Sequence, residues 1–153
     1  MKIERVKHVD LTMLQRMVKL EIEAFGHGGL NEWHLVPFIR HGRVFLASDK
    51  DAAVGLIQYM RDWDNPRKAY LIGVSVAKAW RGQGVGTRLM QVSLEALKEE
   101  NVDEVELTVD PENKGAIKLY VEKLGFMVKE TRVSEYGAGE DRVVMTLSLD
   151  KMI

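Results

Sequence analysis

From Trp80 to Thr87 the chain reads WRGQGVGT, with Gly82, Gly84 and Gly86 at alternate positions and Arg81 just ahead of them. Bare backbone of this kind, placed where a helix starts, leaves main-chain N–H groups uncovered at the end of the helix that favours negative charge. The missing side chains let an anion such as a pyrophosphate approach closely, and Arg81 supplies a charge-assisted hydrogen bond. Two phosphate loops are excluded by spacing. A Walker loop needs a longer gap and then Gly-Lys-Ser/Thr. A dinucleotide fingerprint needs two residues before its last glycine, and only Val85 separates Gly84 from Gly86. The plain alternative is a glycine turn that permits tight packing of a strand on a helix.

Such a loop needs a strand to enter it and a helix to leave it. Tyr70 to Val76 is nearly continuous apolar sequence, as in a strand buried on both faces. After the glycines, Val85, Leu89, Val92 and Ala96 form one stripe of a helix that runs to about Glu100. Upstream, Lys2 to His8 reads as a strand. Asp10 caps a helix with Leu11, Leu14, Val18, Ile22 and Phe25 at helical spacing, and Gly26 and Gly28-Gly29 end it. Asn31 caps a shorter helix to about Arg40, which Gly42 stops. Val44 to Ala47 and Ala53 to Met60 are strands, and Asp62 to Lys68 is a polar loop. Downstream, Val105, Leu107 and Val109 alternate with Glu104, Glu106 and Thr108 in a strand. Asp110-Pro111-Glu112-Asn113 opens a helix over Lys114 to Leu124, closed by Gly125. Phe126 to Val133 and Arg142 to Leu149 are strands of a hairpin. The order β-α-α-β-β-β-α-β-α-β-β implies a mixed α/β fold around one central sheet.

The chain has 153 residues, enough for one domain, and neither a linker nor a repeat divides it, so residues 1–153 read as a single domain. A net charge of −1 gives no basic excess for nucleic acid or a membrane surface. No cysteine is present, which removes disulfides, thiolate metal sites and a cysteine nucleophile. The apolar runs are short of a membrane span and Met1 to Asp10 lacks a signal-peptide layout, so the expected compartment is the cytoplasm. His27, His34 and His41 recur every seven residues, but no carboxylate partner stands at ligand spacing, so no metal is expected.

Val74-Ser75-Val76, then Arg81-Gly82-Gln83-Gly84-Val85-Gly86-Thr87, resembles the acetyl-CoA-binding core of the GNAT N-acetyltransferase superfamily. So does the downstream run of Asn113, Ala116, Leu119-Tyr120 and Leu124-Gly125-Phe126. The resemblance implies a GNAT-like fold with a mostly antiparallel sheet, and direct acetyl transfer from acetyl-CoA, with no metal, to a primary amine. It implies that the backbone of Val74, Ser75 and Val76 pairs with the pantetheine arm, and that a main-chain N–H at Val76 polarises the thioester carbonyl. The N–H groups of Gln83 to Thr87 would hold the pyrophosphate with Arg81 close by, and Asn113 would reach the cofactor near the pantetheine. Tyr120 matches the general acid that protonates the leaving thiolate, a balanced transfer because the two pKa values are not far apart. Its other reading is a core residue beside Ile117 and Leu124. The acceptor is a small-molecule amine or a peptide N-terminus. The C-terminal strands of the family often pair between subunits, so a homodimer is compatible with it.

Many members carry a Glu early in the strand before the loop; here that stretch is Ala69-Tyr70-Leu71-Ile72-Gly73. That departure argues against a simple direct base and for a water chain ending on another carboxylate. Glu21 lies on the stripe of Leu14, Val18 and Phe25, where burial would raise its pKa usefully, whereas Glu23 shares a face with Lys19 and Arg16; the other reading of Glu21 is a carboxylate near the helix end that reaches water. Asp110 stands at a strand end and doubles as a helix N-cap ahead of Pro111. Asp62 and Asp64 share a solvated loop with Trp63. Phe25, Trp33 and Phe38 either shape an acceptor pocket or fill the core. The tail Glu135 to Met145 is similar to that of protein N-terminal acetyltransferases, although those of the ribosomal-protein alanine type carry a Glu where this chain has Thr108. Two further readings stand beside the enzyme: a catalytically inactive acetyl-CoA-binding sensor, and a nucleotide-binding protein using the same loop.

Overall fold

The structure is a computed structural model that describes residues 1–151. Its strands are β1 (Lys2–Arg5), β2 (Arg43–Asp49), β3 (Ala52–Arg61), β4 (Lys68–Val76), β5 (Glu104–Val109), β6 (Met127–Arg132) and β7 (Arg142–Ser148). Its helices are α1 (Leu11–Phe25), α2 (Glu32–His41), α3 (Val85–Glu99) and α4 (Lys114–Lys118), the last continuing as a wider π turn over Leu119–Lys123. The strands form a seven-stranded mixed sheet in the order β1-β2-β3-β4-β5-β7-β6. β4 and β5 run parallel, while β1–β2, β2–β3, β5–β7 and β7–β6 are antiparallel. The chain groups into two compact units, Met1–Met60 with Ile72–Leu97 and Arg61–Leu71 with Lys98–Ile153, so β4 contributes to both. Among the described residues no helix is long and apolar enough to cross a membrane.

In the first unit, α1 and α2 cover one face of β2 and β3, burying Leu14, Met17, Leu20, Leu35, Ile39, Val44, Leu46 and Leu56 together. The opposite face meets α3. A Cβ built on Gly55 of β3 would lie 2.7 Å from Leu89 and 2.9 Å from Val85, so the strand and helix pack with no side chain between them. On the same side Tyr59 and Ser93 share a buried hydroxyl hydrogen bond of 2.7 Å, and the rings of Phe45 and Tyr59 meet edge to face at 6.4 Å. Two caps open the helices as the sequence implies. Asp10 accepts from the N–H groups of Thr12 and Met13. Asn31 accepts from Trp33 while His34 Nδ1 takes the Asn31 N–H.

In the second unit the core holds Val105, Leu107, Val109, Phe126, Val144, Met145 and Leu147. β7 lies between β5 and β6 and is buried or half-buried throughout, whereas β6 is exposed along most of its length.

Several expectations need correction. The buried face of α1 is Leu14, Met17, Leu20 and Glu21, while Leu11 and Ile22 are 72% and 58% exposed. In α3, Met90, Ser93, Leu94 and Leu97 are buried with Val85 and Leu89, and Val92 and Ala96 are only half-buried. β1 stops at Arg5, and β4 alternates at its start, burying Ala69 and Leu71, rather than being buried on both faces. Glu106 does not face solvent. It is buried and paired with Lys68 at 2.9 Å and Arg132 at 3.6 Å, because two cations compensate its lost hydration. The cap of α4 is Asn113, which accepts from Ala116 N–H; Asp110 instead accepts from Glu112 N–H in the preceding turn. Trp33 is 80% exposed and Phe25 half-exposed, so neither is core.

Candidate active site

β4 ends at Val76, and a single 3-10 turn, Lys78–Trp80, leads to the glycine segment. Gly82 and Gly84 take φ values of 77° and 83°, the left-handed region where a Cβ is strained, and open space lies where their side chains would be. The bare backbone therefore faces outward. α3 starts at Val85, and Arg88 N–H reaches back to the Gly84 carbonyl at 3.0 Å. The N–H groups ahead of Arg88 belong to the first turn, which has no intrahelical acceptors. Val85 itself points inward and anchors the helix on Gly55. Two side chains shape the loop: Arg81 Nε donates to the Val76 carbonyl at 3.1 Å, and Gln83 Nε2 donates to the Ala79 carbonyl at 3.1 Å. Gly86 is in ordinary contact distance of Val76, so closeness to β4 does not force a glycine there. Thr87 is half-buried on the first turn. Exposed N–H groups, positive-φ glycines and an adjacent guanidinium fit the pyrophosphate of acetyl-CoA.

The same unit holds both carboxylates considered on α1. Glu23 is not paired with Lys19 or Arg16. Its Oε1 accepts from Lys78 N–H at 2.6 Å and ties the helix end to the loop after β4, while Arg16 donates to the Asp51 carbonyl. Glu21 is 2% exposed. Its Oε1 accepts from Gln58 Nε2 on β3 at 2.7 Å, and Oε2 accepts from Leu30 N–H at 3.4 Å. The segment before α2 comes so near that a Cβ on Gly29 would sit 2.7 Å from the Glu21 carbonyl oxygen. Burial pushes the Glu21 carboxyl above its ordinary pKa, and the hydrogen bonds from Gln58 and Leu30 offset part of that rise. Ser75, in the strand segment that the resemblance pairs with pantetheine, is buried, and among the described residues its Oγ has no hydrogen-bond partner.

The second unit holds Tyr120 and Asn113. Tyr120 lies in the π turn, its ring 5.7 Å from that of Phe126 and tilted by 60°. Phe126 N–H closes the turn onto the Tyr120 carbonyl at 2.9 Å. Burial pushes the Tyr120 hydroxyl above its ordinary pKa, which keeps the phenol protonated. Asn113 is exposed; its Oδ1 is used in capping α4. A hydroxyl cluster stands on the same unit that the sequence reading did not select. Tyr70 bonds Thr108 at 2.9 Å, and burial, with the neighbouring Tyr136 hydroxyl adding to it, pushes the Tyr70 phenol above its ordinary pKa while the Thr108 hydrogen bond offsets part of that rise. The Arg142 guanidinium lies 5.0 Å over the Tyr136 ring. Their separation along the chain, not their residue types, hid this cluster.

The Acetyltransferase (GNAT) family matches residues 13–126. An N-alpha-acetyltransferase of Sulfurisphaera tokodaii is 29% identical over 95% of this chain and 93% of its own length. An N-alpha-acetyltransferase of Sulfolobus acidocaldarius is 32% identical over 73% of this chain and 75% of its own. Among solved structures, the ribosomal-protein-S18-alanine N-acetyltransferase from Escherichia coli superposes with a TM-score of 0.80 at 21% identity, covering 97% of this chain and 94% of that one. An aminoglycoside 6'-N-acetyltransferase complexed with coenzyme A gives 0.80 at 15% identity, covering 97% of each chain. At such identities the two structures share the fold and carry nothing about the acceptor. A match over most of the chain, on the elements that present the glycine loop and Tyr120, places this protein in the GNAT acetyltransferase family as an acyltransferase.

Proposed function

We propose that this acyltransferase moves the acetyl group of acetyl-CoA onto the α-amine of a peptide or protein N-terminus. The observation that carries the acceptor is the similarity, over nearly the full length, to the N-alpha-acetyltransferase of Sulfurisphaera tokodaii. In this reading Val74, Ser75, Val76, Arg81 to Thr87 and Asn113 hold acetyl-CoA, which supplies an acetyl group already activated as a thioester. The amine nitrogen forms the new bond to the acetyl carbon, and the carbon–sulfur bond breaks. Glu21 is the base that takes the amine proton, a role supported by its burial and raised pKa. Tyr120 is the acid that gives its phenol proton to the departing thiolate, a role supported by a hydroxyl held neutral by burial.

The hydroxyl cluster of Tyr70, Thr108 and Tyr136 offers hydrogen-bonding groups to a peptide backbone, and the carboxylates Glu135 and Glu140 flank it in sequence. Steady-state kinetics test the acceptor. The reading expects kcat/KM for short peptides with a free N-terminus to exceed that for aminoglycosides, polyamines and free amino acids. Higher values for any small amine would replace it with metabolite acetylation. Calorimetry tests the donor loop. Gly84→Glu adds a strained side chain and a like charge where the pyrophosphate sits, so acetyl-CoA affinity should fall at least tenfold. Unchanged affinity would remove the loop from the donor site.

A further inference from the structure

Gln58 is entirely buried on β3, and its amide is only half used. Nε2 donates to Glu21, while Oε1 has no hydrogen-bond partner among the described residues. A buried acceptor without a donor is costly, and an apolar residue of the same shape would avoid that cost. The free oxygen faces β4, 3.4 Å from where a Cβ on Gly73 would stand, so the missing side chain leaves room beside it. Two residues further along β4 lies Ser75, buried with an equally unpartnered hydroxyl. One unit of the fold thus holds a buried carboxylate, an amide and a hydroxyl among apolar neighbours. Two of these three groups have unused hydrogen-bonding capacity.

We propose that Gln58 is a positioning residue that holds the Glu21 carboxyl group ready to take and release a proton. This rests on the reading of Glu21 as the base. A base alternates between two states, and its partner must serve both. An amide can: its N–H₂ donates to the carboxylate, and its oxygen accepts from the carboxylic acid after a flip. A cation in the same place would lock the carboxylate charged, and an apolar residue would leave it neutral. Among the described residues no charged side chain pairs with Glu21. Its partners are the Gln58 amide from β3 and the Leu30 N–H ahead of α2. On α1 itself Glu23 is taken by Lys78 N–H, and on α2 His34 is taken by Asn31 N–H. The Gln58 amide is therefore the one side chain that opposes the effect of burial on Glu21.

The test is Gln58→Met, which keeps the length and removes both polar ends, with Gln58→Glu as a second shape-preserving variant. Two readings are taken on each: the pH profile of kcat/KM, and the titration of Glu21 followed by carbon NMR of protein labelled at the glutamate carboxyl. Losing the donated hydrogen bond should move the Glu21 midpoint in Gln58→Met up by about one pH unit. The acidic limb of the profile should move with it, and activity below the limb should fall about tenfold. Gln58→Glu, in which two carboxyls share one proton, should move both readings further in the same direction. An NMR midpoint that stays at the parent value in both variants overturns the proposal. A midpoint that moves while the limb stays also overturns it as a statement about catalysis. Glu21→Gln separates that result from failure of the base reading: a profile that keeps its acidic limb without Glu21 means that the base lies elsewhere.

Discussion

At the scale of single residues, the proposed reaction assigns its acid and its base to two groups that burial pushes the same way. Tyr120 is kept protonated and Glu21 is made more basic, each by desolvation in its own unit. Tyr120→Phe removes one hydroxyl and leaves the ring on Phe126 in place. It should lower kcat by roughly 10²-fold or more with little change in acetyl-CoA affinity; stopped assays and calorimetry on one preparation check both. Turnover equal to the parent's across pH would exclude the acid role. Glu21→Gln should show in stability as well. A carboxyl whose pKa is raised by folding binds more protons in the native state than in the unfolded one. Its contribution to stability is therefore present at low pH and is lost as pH rises from the ordinary glutamate range through the raised value. The melting temperature of Glu21→Gln relative to the parent should climb over that window; a constant difference would mean that Glu21 is not desolvated. Glu21 was legible as a candidate from its type and its place in a helix, but the side of the helix was misjudged. Apolar residues occur around most of α1, so periodicity alone did not separate Leu14, Met17 and Leu20 from Leu11 and Ile22. Gln58 carried no signal, because its partner lies 37 residues away.

At the scale of elements, the β3–α3 contact holds the glycine loop in place. Val85 is both the first residue of α3 and the side chain that meets Gly55. In Gly55→Ala the added methyl meets a buried Leu89 and a Val85 that is stiff about χ1. The cost should be about 1–3 kcal/mol of stability, read from denaturant midpoints. A neutral result would show that α3 shifts freely on the sheet. The helix starts were legible because their caps are local: Asp10, Asn31 and Asn113 each accept from an N–H two or three residues ahead. The Asp110 cap failed for the same reason that Asn113 succeeded, since the turn at Pro111 gives each of them its own N–H. The π turn around Tyr120 had no local signature, and it is Phe126 N–H, beyond Gly125, that closes it.

At the scale of the whole molecule, the order of elements followed from the sequence while the order of strands did not. A hairpin of the last two strands was foreseen, but which one lies inside depends on long-range pairing. β7 pairs with β5 from Glu104↔Ser148 to Val109↔Val143, which leaves β6 at an edge. Composition held a hint, because Val144, Met145 and Leu147 are buried while β6 carries Lys129, Glu130 and Arg132. The pairing of Glu106 with Lys68 and Arg132 joins three separate strands and could not be read from the alternation of β5 alone. Transfer of acetyl to a peptide N-terminus is tested most directly by tandem mass spectrometry of one peptide pair. One peptide has a free α-amine and an internal lysine; the other is the same peptide with its α-amine blocked. Incubated with acetyl-CoA, the first should gain one acetyl group on the α-nitrogen, and the second should remain unmodified. Acetyl on the lysine of both peptides, or on neither peptide while a small amine is consumed, would contradict N-terminal acetylation.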